Sequence, residues 1–257
     1  METLLKQILR WPVKGLSPDC LSSTHFETGQ AIKADRKYAL APGSSTARGQ
    51  VNEWMSKNHF LMLARHEKLL SLETTFDEKT NTLTVLRGDR QVAKGVLSTP
   101  VGRSIIETFF TSFMGDKAQG QIRVVEAAPG HTLSDHNNPV VSLINLTTIK
   151  DLERVIGKPV DPIRFRGNLY FQGAKPWMEF DWVGREINIG ACRLFVTERI
   201  DRCAATNVNP DTAKRDMNIP KSLQHGFGHI DVGVYAKVIT SGEINVGDTI
   251  TPADGVL

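Results

Sequence analysis

The sequence contains few cysteines and lacks the glycine-rich motifs that bind nucleotides. Its 257 residues include three cysteines, Cys20, Cys192 and Cys203, without CxxC or CxxxH spacing. This pattern indicates neither a disulfide framework nor a structural zinc site. The chain also lacks a GxGxxG motif between a strand and a helix, a GxxxxGK[ST] loop and a GxSxG nucleophile elbow. Nucleotide binding by such loops and α/β-hydrolase chemistry are therefore not supported.

Long apolar runs and a large charge excess are absent as well. No apolar run could span a bilayer, and charges interrupt the first ten residues without a small-residue cleavage site after them. The formal net charge is +3, below the excess typical of nucleic-acid-binding domains. We therefore predict a cytoplasmic protein that binds neither membranes nor nucleic acid. A small anionic ligand would suit the mild positive excess.

Short β-type segments bounded by turn residues dominate the chain, which predicts a mainly β fold with a few helices (α+β). The predicted strands cover residues 5–11, 25–26, 37–40, 69–76, 82–86, 91–96, 121–127, 163–171, 186–189, 193–198, 231–240 and 244–250. Turn residues between the fourth, fifth and sixth of these predict a meander. Residues 241–243 predict a hairpin that joins the last two strands.

The clearest predicted helix starts at Pro100. Val101, Ile105, Phe109 and Phe113 share one of its faces, which we expect to lie in the core. The polar residues 115–120 after this helix predict a boundary between an N-terminal unit, 1–118, and a C-terminal unit, 119–257.

Other helical signals are shorter. A second helix is predicted from Thr147 to Ile156, ending at Gly157, and one or two helical turns at 52–58. His225 and His229 have helical metal-ligand spacing, but the glycines between them predict a turn instead.

Residues 199–212 place Cys203 between basic residues and a polar turn. The thiolate is the reactive form of cysteine, and Arg199 and Arg202 favour it electrostatically. A buried, inert cysteine is the ordinary expectation for a cysteine considered alone. Lys14, Arg36, Arg166 and Asn168 add polar and basic groups in loops next to predicted strands. Each is typical of a solvated surface residue when taken singly.

Together these residues belong to a specific set of motifs. They are Pro-Val-Lys-Gly at 12–15, Phe-Arg-Gly-Asn at 165–168, Pro-Trp at 176–177 with Trp-Val-Gly at 182–184, Arg-Cys-x-x-Thr-x-Val-x-Pro-x-Thr at 202–212, and Gly-Val-Tyr-Ala at 233–236 with Gly-Asp at 247–248. The set resembles the MOSC family with its N-terminal β-barrel partner domain, over nearly the whole chain. The pattern around Cys203 is its specific part. The resemblance implies a MOSC-type β-barrel plus an N-terminal β-barrel-like domain.

MOSC proteins of this layout are similar to the mitochondrial amidoxime-reducing component and to bacterial proteins that detoxify hydroxylaminopurine. The resemblance implies a molybdenum cofactor, a molybdopterin whose metal takes the cysteine as its protein ligand. That role falls on Cys203. The predicted cofactor-binding residues are Lys14, Arg36, Asn137, Asn138, Arg166, Asn168 and Arg202. The anionic phosphate end of the cofactor is assigned to Lys14, Arg36 and Arg166, and the pterin to Asn168 and the loop with Asn137 and Asn138. Gly15 and Asp201 stand where relatives carry serine.

The resulting functional prediction is a reductase of N-hydroxylated compounds such as hydroxylamines, amidoximes or N-hydroxylated bases. Asp201 is a candidate proton donor, and a surface position or a salt bridge to Arg202 is the alternative for it. Because the chain lacks a flavin or nicotinamide fingerprint, we expect electrons from a separate partner, a flavin reductase or a ferredoxin-like protein. Two other functions remain open: sulfur transfer through a persulfide on Cys203, and storage of the molybdenum cofactor without turnover.

Overall fold

The computed structural model describes residues 2–253, which form three α-helices and sixteen strands. The helices are α1 (Pro100–Met114), α2 (Leu146–Ile156) and α3 (Ile219–Phe227). The strands are β1 (Leu4–Arg10), β2 (Asp19–Leu21), β3 (Ser23–Phe26), β4 (Tyr38–Ala41), β5 (Gln50–Val51), β6 (Glu73–Asp77), β7 (Thr82–Arg87), β8 (Arg90–Val96), β9 (Arg123–Ala127), β10 (Val141–Asn145), β11 (Leu169–Gln172), β12 (Glu186–Ile189), β13 (Cys192–Asp201), β14 (Asp231–Thr240), β15 (Gly242–Asn245) and β16 (Ile250–Pro252). The predicted mainly β, α+β class is confirmed. Each of the three helices is too short or too polar to cross a lipid bilayer.

The largest sheet has eight strands in the order β16-β12-β13-β14-β10-β11-β1-β2 and curls into a half-barrel. Neighbouring strands run antiparallel except β10 and β11, which are parallel and connected through α2. The N-terminal strand β1 pairs with β11, with Leu5 opposite Phe171. Both of these side chains are fully buried in the same core cluster. The start of the chain therefore belongs to the sheet that the C-terminal half builds.

Two smaller sheets carry much of the N-terminal half. Strands β6, β7 and β8 form the predicted meander, and β9 pairs with both β4 and β5. Because β9 follows residue 118 and still pairs with N-terminal strands, the two halves exchange strands in both directions. The boundary at 118/119 stays a prediction.

Helix α1 presents a different face to the core than its sequence suggests. Val101 is 72% exposed and Ile105 is 45% exposed, so the expected core face is wrong for both. The helix buries Gly102, Ile106, Phe110 and Met114 instead, while Phe109 and Phe113 are only partly buried. A Cβ on Gly102 would lie 2.1 Å from the carbonyl oxygen of Val96. Because Gly102 has no side chain, only its side of α1 can pack this closely against β8. That contact determines which face of α1 points to the core.

Three expected elements are shorter than predicted. The strand expected at 69–76 begins at Glu73, because residues 67–71 form a 3₁₀ helix. The strand expected at 163–171 begins at Leu169, because residues 162–165 are also a 3₁₀ helix. The turns expected at 52–58 reduce to one 3₁₀ turn at 57–59.

The predicted C-terminal hairpin has other strand partners than expected, and the turn predicted at His225 and His229 lies elsewhere. Strand β15 pairs with β3 and β16 pairs with β12, so the predicted C-terminal hairpin is not formed. His225 lies inside α3, which continues through Gly226 and ends at Phe227, with Gly228 as its C-cap at φ 77°. His229 follows the helix, so the turn predicted there begins later than expected.

Candidate functional site, a cationic cavity

A cavity of about 660 Å³ lies between the N-terminal loops and the large sheet, and we call it the central cavity. Four acidic residues and seven basic residues line it, the basic ones being Lys14, Arg36, Lys57, Arg164, Arg166, Arg199 and Arg202. The resulting excess of three positive charges equals the +3 net charge of the whole chain. Charges elsewhere balance, so the positive excess is concentrated here, as an anionic ligand requires.

The fold brings most of the predicted site residues to this cavity. Eight of the nine line it: Lys14, Arg36, Asn137, Arg166, Asn168, Asp201, Arg202 and Cys203. Asn138 is not part of the lining, and its Nδ2 donates to Oδ1 of Asn137 over 3.1 Å. The set comes from distant parts of the chain, so only the fold assembles it. Their roles stay predictions.

Cys203 lies just after β13 and is partly exposed. Its carbonyl oxygen accepts hydrogen bonds from the backbone N of Thr206 at 3.1 Å and from Oγ1 of Thr206 at 2.9 Å. The threonine of the cysteine motif thus fixes the backbone that carries the sulfur. Cys20 is exposed on β2 and Cys192 is buried, and neither lines the cavity.

Arg202 is buried behind Cys203 and is held by backbone carbonyls. Its Nε donates to the Val232 oxygen at 2.9 Å and its Nη1 to the Phe165 oxygen at 3.0 Å. Burial lowers the pKa of Arg202. The salt bridge between Arg202 and Asp201, offered above as an alternative, does not form. Asp201 is exposed in the cavity wall and makes no salt bridge with any basic residue of the range 2–253.

Trp11 is a platform for two of the predicted phosphate-binding groups. The guanidinium carbon of Arg166 lies 3.8 Å from the Trp11 ring centroid, and that of Arg36 lies 5.8 Å away. Trp11 is buried and donates its Nε1–H to the Gly167 oxygen at 2.8 Å. Cation–π contacts of this kind favour a fixed guanidinium. Sequence reasoning missed Trp11, although the residue directly precedes the Pro-Val-Lys-Gly motif.

Within residues 2–253, Arg36 has more partners than Arg166, including a counter-ion. Arg36 donates to Oδ2 of Asp35 at 2.5 Å and to the Arg166 carbonyl at 2.7 Å. The guanidinium of Arg166 makes one hydrogen bond within residues 2–253, to the Leu16 oxygen at 2.9 Å, and no salt bridge there. Burial and the charge of Arg36 lower the pKa of Arg166 to about 9. It remains protonated at neutral pH and has unused donors at the cavity.

Lys14 is buried and tied to the loop that borders the cavity. Its Nζ donates to the Leu133 oxygen at 2.8 Å and pairs with the carboxylate of Asp135. Burial lowers the pKa of Lys14, and Asp135 partly opposes that effect. Oδ2 of Asp135 also lies 3.9 Å from Nζ of Lys57. Asp135 is therefore an internal counter-ion for the cations of the cavity.

Gly15 follows Lys14 with φ +85°, a region that favours glycine. A Cβ at this position would lie 3.2 Å from the Leu61 carbonyl oxygen. The backbone here therefore disfavours the serine that relatives carry.

Asn168 uses its side chain inside the protein. Its Oδ1 accepts from the backbone N of Ser142 at 3.2 Å and from its hydroxyl at 2.9 Å, and its Nδ2 donates to the Leu9 oxygen at 3.1 Å. Oδ1 also lies 3.5 Å from Nη1 of Arg36. Asn168 thus joins β1, β10 and β11 next to Arg36, and its predicted cofactor contact stays a prediction.

Among the cavity-wall residues that sequence reasoning did not assign to the site are His136, Glu198 and Tyr235. His136 Nε2 lies 2.9 Å from Oε1 of Glu198, and the His136 and Tyr235 rings meet edge to face with centroids 4.9 Å apart. The Gly-Val-Tyr-Ala motif contained Tyr235 without indicating that its ring faces the site. Within residues 2–253, no group of three or more His, Cys, Asp or Glu side chains is arranged to hold a metal ion.

Comparison with known proteins assigns the C-terminal part of this site to a family. The family model "MOSC domain" matches residues 130–251. Among solved structures, the YuaD protein of Bacillus subtilis is 11% identical, covering 97% of this chain and 94% of that chain with a TM-score of 0.45. YiiM of Geobacillus stearothermophilus is 18% identical over 44% and 53% (TM-score 0.35), and YiiM of Escherichia coli is 17% identical over 45% and 55% (TM-score 0.34). No curated protein matches the chain significantly. Residues 130–251 thus form a MOSC domain, and that family is associated with molybdenum cofactor binding.

Proposed function

We propose that the central cavity binds the molybdenum cofactor, with Cys203 as metal ligand, and that the protein reduces N-hydroxylated compounds. The observation that supports this most is that a partly exposed cysteine and the cations Lys14, Arg36 and Arg166 line one cavity. A thiolate is a soft ligand that suits a transition metal. Buried or partly buried cations in the same cavity suit a phosphate.

The chemistry of the cavity fits a molybdopterin phosphate. Arg166 is charged, partly buried and short of partners among residues 2–253. A phosphate would accept its free N–H groups and supply the missing counter-charge. Each charge-assisted hydrogen bond of this kind is worth about 1.5 to 3 kcal/mol. Lys14 would contribute a further positive charge, in competition with Asp135.

The bound cofactor would supply the two-electron reduction that cleaves the N–O bond. The residues of the chain would hold the cofactor and orient the groups that bind it. Thr206 fixes the backbone of Cys203, and Trp11 fixes the guanidinium of Arg166. Asn137 lines the cavity as well, so its loop would border the bound cofactor. A separate flavin reductase or ferredoxin-like partner would deliver the electrons.

Elemental analysis tests this proposal. The protein is produced in a host that makes the cofactor, as wild type, Cys203→Ala and Cys20→Ala. We expect molybdenum in wild type and in Cys20→Ala, and almost none in Cys203→Ala, because the exposed Cys20 lies outside the cavity. Wild type without molybdenum would contradict the cofactor assignment. Metal retained in Cys203→Ala would contradict the ligand assignment.

Two further measurements separate the alternatives. Turnover of a hydroxylamine with a reduced dye is expected for the reductase and not for a carrier of the cofactor. A sulfur transferase would instead carry cyanide-releasable sulfur on Cys203 and no molybdenum.

A further inference from the structure

Tyr235 has the one tyrosine hydroxyl in residues 2–253 that makes no hydrogen bond to the protein. Tyr38 donates to Oδ1 of Asn81 at 3.2 Å. The Tyr170 hydroxyl accepts from the Gly167 N–H at 2.9 Å and donates to the Pro162 oxygen at 3.2 Å. The Tyr235 side chain lines the central cavity, and its oxygen is not among the fully buried polar atoms that lack a partner. Its O–H group is therefore available to a ligand in the cavity.

The strands bring Tyr235 to the same cavity as the cysteine. Alternation along β14 buries Val234 and Ala236 in the core and turns Tyr235 to the opposite face. Arg202 connects the two, since it precedes Cys203 in the chain and donates to the Val232 carbonyl on β14. Tyr235 and Cys203 are also both among the groups whose charge acts on Arg202. The phenol and the thiol thus share one neighbouring guanidinium.

His136 holds the Tyr235 ring in place. The edge-to-face contact has a centroid distance of 4.9 Å. Nδ1 of His136 accepts from the Asn138 N–H at 2.9 Å, and Nε2 bonds Glu198 at 2.9 Å. Glu198 is in turn the cross-strand partner of Tyr235. Both ring nitrogens of His136 are therefore occupied, which suits a positioning residue and leaves the proton transfer to the phenol.

The charges around the phenol suit a group that is protonated at rest. Burial raises the pKa of Tyr235, so the hydroxyl keeps its proton at neutral pH. The positive charges of Arg202 and Arg36 act in the opposite direction and would stabilise a phenolate after proton transfer. Asp135 and Asp201 partly offset them.

We propose that Tyr235 is a catalytic residue that donates a proton to the oxygen leaving the N-hydroxylated substrate. This proposal rests on the proposed reductase function. The overall reaction is R–NH–OH with two electrons and two protons giving R–NH₂ and water. The electrons come from the separate redox partner, or from a reduced dye in the assay. The Tyr235 O–H gives one proton to the departing oxygen as the N–O bond breaks, solvent gives the other to nitrogen, and the phenolate is reprotonated by solvent.

The test uses molybdenum-loaded wild type, Tyr235→Phe, Tyr38→Phe and Asp201→Asn, with a hydroxylamine and a reduced dye. Tyr235→Phe keeps the ring that packs on His136 and removes only the hydroxyl. We expect its kcat at pH 7 to fall by about 100-fold, the usual size of a general-acid contribution. Its molybdenum content and KM should stay at the wild-type level, and its rate should recover towards low pH, where hydronium replaces the phenol. Tyr38→Phe should keep the wild-type rate, because Tyr38 lies outside the central cavity. Asp201→Asn tests the rival proton donor, and its loss of kcat should be smaller than that of Tyr235→Phe.

Each other result counts against the proposal. Wild-type kcat in Tyr235→Phe overturns it. A loss of kcat confined to Asp201→Asn would make Asp201 the proton donor instead. A rise in KM or a fall in metal content without a change in kcat makes Tyr235 a binding residue. Loaded wild type that turns over no N-hydroxylated compound refutes the proposed function together with this proposal, and that measurement comes first.

Discussion

Two regions of this molecule bury charge, and they do so in opposite ways. Glu179 is fully buried beneath α2, where it accepts from Nδ2 of Asn145 at 2.9 Å and from Oγ1 of Thr148 at 2.9 and 3.0 Å. It makes no salt bridge within residues 2–253. Burial raises its pKa to about 7, although these hydrogen bonds favour the charged form.

Arg166 at the central cavity is the contrasting case. It has one hydrogen-bond acceptor within the described chain and a ring under its guanidinium, and its remaining donors are unused. A buried polar group whose partners are complete contributes to a unique fold. A charge with spare donors at a cavity is placed for a ligand instead. The same property, buried charge, thus has a structural role in one region and a predicted binding role in the other.

The largest effect is expected from Glu179→Gln. The folded pKa of about 7 lies above the ordinary 4.5, so the native state binds more protons between these values. The stability of wild type should therefore fall as pH rises from about 4.5 to about 7, by roughly 3 kcal/mol in all. Glu179→Gln should remove that dependence and be the more stable protein at pH 8. Urea unfolding at pH 5 and pH 8 measures it, with the exposed Glu53→Gln as control.

If Glu179→Gln kept the same loss of stability between pH 5 and pH 8, another group would be responsible. Glu179 would then no longer be an example of a buried charge with a structural role.

Arg166→Gln should show the opposite behaviour, with a large effect on binding and a small one on folding. Inorganic phosphate binding to the cofactor-free protein should weaken by about 10-fold or more, the equivalent of one charge-assisted hydrogen bond. The free energy of unfolding should change by less than about 1 kcal/mol, because no ion pair within residues 2–253 is broken. Calorimetry and urea unfolding give the two numbers.

Arg10→Gln is the matched control. Arg10 is buried, whereas Arg166 is partly buried. Arg10 pairs with Asp19 at 2.9 Å and with Glu78, and it lies outside the central cavity. Its removal should cost roughly 3 kcal/mol of stability and leave phosphate binding unchanged. Unaltered phosphate affinity in Arg166→Gln, or a stability loss as large as that of Arg10→Gln, would refute the distinction.

The smallest effect is expected from Asp135→Asn, which removes the acidic partner of Lys14. Burial would raise the pKa of Asp135, but the charges of Lys14, Lys57 and Arg36 hold it below its usual value, so it is ionised at neutral pH. Its removal should tighten phosphate binding by up to about 5-fold at pH 6, the scale of a half-exposed ion pair. The gain should shrink at higher pH, because Lys14 without Asp135 loses its proton more easily. Weaker binding at pH 6 would mean that Asp135 supports the site instead of competing for it.

Local pattern predicted most of the regular elements. Strand β14 and helix α2 were found from alternation, helical periodicity and a C-terminal glycine, because each of those signals is contained within one segment. The rotation of α1 was not predictable in this way. It depends on the close approach of Gly102 to Val96 on β8, a contact between two elements. Pairing of β15 with β3 likewise joins residues more than two hundred positions apart.

The candidate site divides along the same line. Residues around Cys203 carry a motif whose spacing is visible in the sequence. Lys14, Arg36 and Arg166 are likewise visible there, as basic residues in loops. The amino-acid order by itself thus determined the fold class and the chemical types of the site residues, since both are written in local spacing. Only the tertiary structure decided which cations lack a counter-ion among residues 2–253, that Trp11 supports two guanidiniums, and that the Tyr235 hydroxyl is unused by that part of the chain. Those properties depend on distances between segments far apart in the chain, and folding alone sets such distances.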